Sequence, residues 1–99
     1  MNKIVVQVDP DLIDLIPGFL NNKRKDAAKL AELITNADYE ALRGLGHKLK
    51  GEGGGYGLDA ISDIGIELES AAKTRDLAAI RNCHSQLLVY LDTLEVVPA

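Results

Sequence analysis

Apolar residues recur at helical spacing in every long stretch of this chain, and no stretch can bury its own stripe. Leu12, Ile13, Leu15, Ile16, Phe19 and Leu20 begin one stripe, which Leu30, Leu33 and Ile34 continue. Leu42, Leu45 and Leu49 form a second. Ile61, Ile64, Leu68 and Ala72 form a third, and Leu77, Ile80, His84, Leu87, Leu88, Leu91 and Leu94 a fourth. An amphipathic helix draws most of its stability from whatever covers its apolar face. The helices must therefore cover one another, and short connections make them antiparallel neighbours. The expected fold is all-α: an antiparallel four-helix bundle with an additional N-terminal helical segment. A chain of 99 residues has room for one core. One domain is expected over 1–99, with 1–8 as an extended lead-in and about 9–95 as the bundle.

Punctuation supports these boundaries. Asp9-Pro10 is a helix start, and Pro17-Gly18 then requires either a kink or a second start at Pro17. Asn36-Ala37 closes that segment, and Asp38 is the next N-cap. The stripe fades in the run Gly53, Gly54, Gly55 and Gly57, and another helix is expected from about Asp59 to Lys73. Asp76 caps the last helix, in a start that echoes the one at Asp38. The run Lys3 to Val8 reads as strand, but nothing nearby offers it a partner, so it is expected to lie extended against the bundle.

Composition excludes several function classes. The net charge is −4, and the only basic cluster is Lys23-Arg24-Lys25, expected to be a solvated helix surface. That is poor material for binding nucleic acid. No run is long and apolar enough to span a membrane, and no signal peptide is visible. Cys83 is the single cysteine, expected to pack rather than react. A cytoplasmic location and a monomeric state are the defaults. No phosphate-binding loop or kinase motif is present. His84 sits within an apolar stripe and reads as a partly buried structural residue. With only His47 and His84 and no spaced carboxylates, a metal site is not expected, and no cofactor is implied. The pairs Glu67/Glu69 and Asp59/Asp63 read as solvated faces.

His47 breaks the pattern. At about 100° per residue, it lies about 160° from both Leu45 and Leu49, while Arg43, Lys50, Gly51 and Gly54 fall within about 60° of it. The outer face therefore presents one imidazole, two cations and bare backbone. Interior glycines each cost a helix about 0.5–1 kcal/mol relative to Ala, so Gly44, Gly46 and Gly51 need a reason, and close approach of a docking partner supplies one. A free imidazole titrates near neutrality and is nucleophilic when unprotonated. Lys50, one turn on, can neutralise the charge developing on a phosphoryl group.

Gly46-His47-Lys48-Leu49-Lys50-Gly51, followed by Gly54, Tyr56 and Gly57-Leu58, resembles the signature of histidine-containing phosphotransfer (HPt) domains. The family pattern is His, then Lys three residues on, Gly four on and Gly ten on, and all three spacings match. Asp38 to Arg43 and Leu68-Glu69 are also similar to the family. The resemblance implies a phosphocarrier without an ATP site of its own, and so not an enzyme. It would accept a phosphoryl group on His47 Nε2 from a receiver-domain aspartyl phosphate and pass it to another receiver. Lys50 would steady the group, and Gly51 would leave room for the partner. Arg43, Lys48, Gly51, Gly54 and Tyr56 would form the partner-facing surface, with Leu12 and Ile16 as apolar candidates beside it. The implied partners are response-regulator receiver domains and a sensor histidine kinase, with Mg²⁺ expected only in the receiver. The family usually has a small residue where this chain has Glu52, which could repel an acidic partner. Two alternatives stay open: the phosphorylatable module of a chemotaxis-type histidine kinase, and an interaction bundle without phosphoryl chemistry.

Overall fold

Two of the three helix connections use one device. In the computed structural model, which describes residues 3–99, α1 (Ile16–Thr35) ends with Ala37 in the left-handed region at φ 51°, and α3 (Asp59–Lys73) ends the same way at Arg75, φ 55°. Each closes a Schellman motif: Asp38 N–H donates to Leu33 C=O at 3.0 Å, and Asp76 N–H to Ala71 C=O at 2.9 Å. Each aspartate then caps the helix it begins, accepting from Ala41 N–H and from Ala79 N–H, both at 3.1 Å. These are the starts of α2 (Tyr39–Glu52) and α4 (Leu77–Thr93). This shared stop-and-restart is why the two starts look alike in sequence.

The α2–α3 connection differs. Gly53–Gly57 forms a short 3₁₀ turn over Gly54–Tyr56 rather than a helical extension, and Gly57 takes φ 73°, where glycine is the residue that fits at no cost. At the N-terminal end, Asp9 caps a turn, accepting from Asp11 N–H at 2.9 Å, and a 3₁₀ stretch at Ile13–Leu15 leads into α1 with Pro17 in its first turn. Pro17 thus starts a helix rather than kinking one, and the extra N-terminal segment is a single 3₁₀ turn.

The four helices pack antiparallel around one core that includes Leu30, Leu42, Leu49, Leu58, Ile61, Leu68, Ile80 and Leu87. Part of the last stripe is shifted from expectation: Leu88 is exposed, and Cys83 and Tyr90 take inward places instead. Leu94 is not helical at all. The lead-in has a partner after all: β1 (Ile4–Val8) pairs in parallel with β2 (Leu94–Pro98), Ile4 opposite Leu94 and Val8 opposite Pro98. β-Branched residues before a proline favour extended backbone, so α4 stops at Thr93 and Val96-Val97 continues as strand.

The closest helix contact is α2 on α3. A Cβ on Gly46 would lie 2.5 Å from Glu69 N and 2.9 Å from Gly65 O, and one on Gly65 would run into the Lys50 backbone. Gly46 is therefore a core-packing residue, and the backbone of α3 rather than a docking partner is what demands the missing side chain there. Gly44 and Gly51 have open space around them.

Candidate functional site

α2 turns its Leu42, Leu45 and Leu49 inward, and that register forces His47 outward. Its side chain is 72% exposed. The close approach of α3, made possible by Gly46 and Gly65, brings Glu69 alongside. The His47 Nδ1 is 3.1 Å from Glu69 Oε2, and Lys50 Nζ is 3.7 Å from Glu69 Oε1. One carboxylate therefore joins the two residues that the sequence singles out.

Glu69 is not the solvated residue its sequence position suggests, since its side chain is only 15% exposed. Partial burial works against its charge, but Lys50, the hydrogen bond and charge of His47, and Lys73 together hold its carboxyl below the usual range. An ionised carboxylate can only accept hydrogen bonds. Nδ1 must therefore carry the proton in this contact, which leaves the Nε2 lone pair of the neutral ring directed away from Glu69. Sequence reasoning missed this residue because it is 22 positions from His47 on another helix. One signal was available: Glu69 lies one turn after Gly65, on the face whose missing side chain marks close contact with α2.

A second polar cluster ties α1 to α2. Lys23, only 1% exposed, donates to Asp26 Oδ2 at 2.6 Å and to Glu52 Oε1 at 2.7 Å, with its ammonium 5.1 Å from the centre of the Phe19 ring. Burial opposes its charge, but the two carboxylates raise its pKa above the ordinary value. This corrects two expectations. Lys23 does not belong to a solvated basic surface, and Glu52 is not a free charge facing a partner, because Lys23 neutralises it. Lys48 reaches the same cluster, donating to Asp26 Oδ1 at 3.1 Å.

The remaining candidates divide. Arg43 and Gly51 are exposed on α2 near His47, whereas Gly54 lies beyond the helix end in the 3₁₀ turn, so its place on the α2 wheel no longer applies. Its N–H donates to Ser62 Oγ at 2.9 Å. Tyr56 is half-buried, stacked on Phe19 with ring centres 4.2 Å apart. Leu12 is half-buried, and Ile16 is a core residue that offers nothing to a partner. His84 is half-buried beside Arg24, Ala27 and Leu88 at the α1–α4 seam. Cys83 is buried, and burial together with the nearby Glu67 pushes its thiol up to about 11. Among the described residues, no group of three or more His, Cys, Asp or Glu is placed to hold a metal ion. No helix among them is long and apolar enough to cross a membrane.

The fold is thus a four-helix bundle that holds one imidazole, in contact with Glu69, out in water. The family model of the Hpt domain matches residues 14–96, and the chain belongs to that family. Members are phosphocarriers in phosphorelays rather than catalysts, and they interact with receiver domains and histidine kinases. No curated protein and no solved structure matches the chain significantly.

Proposed function

We propose that this chain carries a phosphoryl group on His47 Nε2 between receiver domains of a cytoplasmic phosphorelay. The observation that carries the assignment is the Glu69–His47 contact, which leaves Nε2 as the free nucleophile on an exposed ring. The Nε2 lone pair attacks the phosphorus of an aspartyl phosphate as the phosphorus–oxygen bond to the aspartate breaks, and that aspartate departs as a carboxylate. The ring keeps its Nδ1 proton and becomes positively charged, and Glu69 balances that charge. Lys50, 3.7 Å from the same Glu69 carboxylate, would leave it to pair with the incoming phosphoryl oxygens. Any Mg²⁺ belongs to the acidic pocket of the receiver. Arg43, Lys48 and the bare backbone at Gly51 face the incoming domain, while Gly54 and Tyr56 border it from the 3₁₀ turn.

The test is incubation with a phosphorylated receiver, comparing wild type with His47→Gln and Glu69→Gln. Acid-labile, base-stable label on wild type and none on His47→Gln is expected. Glu69→Gln should label more slowly, and the ¹⁵N resonances of its imidazole should show a mixture of tautomers. Equal labelling of wild type and His47→Gln would remove His47 from the assignment.

A further inference from the structure

On another face of the bundle, a groove follows the seam between α3 and α4. Its upper part, about 490 Å³, is lined by the buried Ile64 and Tyr90 and by Val89 and Ile4. Its lower part, about 380 Å³, continues past Ile66, and Glu67 lines both. Ile4, Ile66 and Val89 are 42%, 49% and 50% exposed, so three large apolar side chains meet water along this seam. The charged residues of the lining are Asp63, Glu67 and Asp76, all acidic. Among the described residues, none of these three has a cation within ion-pair distance. Ile4 lies outside the span matched by the family model, so one apolar wall comes from β1 rather than from the matched residues.

We infer that this groove receives an amphipathic helix of a partner protein, its apolar stripe lying along the seam and its flanking positions carrying Lys or Arg. A groove between two helices suits a helix that lays its apolar face into it. α3 has 15 residues, so at about 1.5 Å per residue the seam accommodates three to four turns. These carboxylates without a cation partner choose the sign: covering them with apolar or acidic surface would strand charge, whereas flanking cations neutralise it. The same argument disfavours a second copy of this chain. Its net charge is −4, and a groove-to-groove pair would set the three carboxylates against themselves. Glu67 and Glu69 lie about 200° apart on α3, so a helix seated here leaves His47 free. The inference does not depend on the phosphocarrier assignment.

The test uses a designed amphipathic peptide of about 14 residues, with a Leu stripe flanked by Lys, titrated into the ¹⁵N-labelled full chain. A second peptide replaces every Lys with Glu. The Lys peptide should shift the amides around Ile64 and Val89, and Asp63→Lys/Glu67→Lys should weaken it roughly fivefold, as two exposed charge pairs imply. The same double variant should gain affinity for the Glu peptide. His47→Gln should bind the Lys peptide unchanged, and the double variant should accept phosphoryl groups at the wild-type rate, which separates this result from failure of the carrier assignment. Both substituted residues are exposed, and a circular dichroism spectrum checks that the variant is folded. Equal binding of the two peptides, shifts confined to other faces, or concentration-dependent self-association that covers the groove would overturn the inference.

Discussion

Two glycines two positions apart on α2 should respond to the same substitution with opposite signs. Gly44 has nothing within 4 Å of where a Cβ would sit, so Gly44→Ala gains helix propensity at no steric cost. That is worth about 0.5–1 kcal/mol. Gly46→Ala gains the same propensity but places its methyl 2.5 Å from Glu69 N and 2.9 Å from Gly65 O. Carbon contacts settle at about 3.5–4.0 Å, so α3 must retreat by about 1 Å. Backbone is what has to move, which puts the cost at the upper end of the overpacking range of about 1–3 kcal/mol. The net effect is a loss of about 1–2 kcal/mol, leaving the two variants about 2–3 kcal/mol apart. For a domain of this size, 1 kcal/mol moves Tm by about 4–8 °C, so thermal melts should separate them by about 8–24 °C, with wild type between. Urea unfolding provides the free energies, and an unchanged m-value would show that the same transition is being followed. The methyl also pushes on the residue that orients His47, so Gly46→Ala should shift the imidazole ¹⁵N resonances and Gly44→Ala should not. If the two variants melt together, or both rise, the close α2–α3 contact is wrong, and with it the account of how Glu69 reaches His47.

Other outcomes follow from the polar clusters. Asp26→Asn/Glu52→Gln leaves the buried Lys23 ammonium without a counter-charge and should cost about 3–5 kcal/mol, whereas Lys23→Met removes that charge and should cost far less; urea unfolding that reversed this order would refute the pairing. The Glu69 carboxyl is held below its ordinary value of 4.5, so its contribution to stability is complete above that pH and is lost as pH falls through the lower folded value. The difference in urea midpoint between wild type and Glu69→Gln should therefore be steady near neutrality and shrink on acidification below about pH 4; a difference independent of pH would contradict the contact. Cys83, buried and pushed up to about 11, should resist iodoacetamide at pH 8 in the native protein and react once it is unfolded in urea; fast labelling of the folded chain would show that it opens there.

Much of this was legible in one dimension because helices are local. The stripe of Leu42, Leu45 and Leu49 sets the register of α2, and that register alone turns His47 outward. Asp38 and Asp76 announce their helices by hydrogen bonds to residues three positions on. What was not legible is what depends on distant partners. Lys23 looks like a surface lysine until Glu52, 29 residues away, is brought to it. Glu69 looks solvated until two glycines let its helix close on α2. Residues 4–8 look unpaired because their partner strand begins at Leu94, after the whole bundle has been traversed. Leu88 and Tyr90 exchange expected places because one helical stripe can rotate slightly and still satisfy its neighbours.

The ribbon of β1 and β2 also decides how the domain would respond to tension. The strands are adjacent and parallel, so a pull on the leading end of the first and the trailing end of the second slides one along the other. Their evenly spaced rungs would then be loaded together and must yield together, rather than peeling one at a time. Stretched between two attachment points, the chain would keep its bundle sheltered behind that lock until the ribbon gave way.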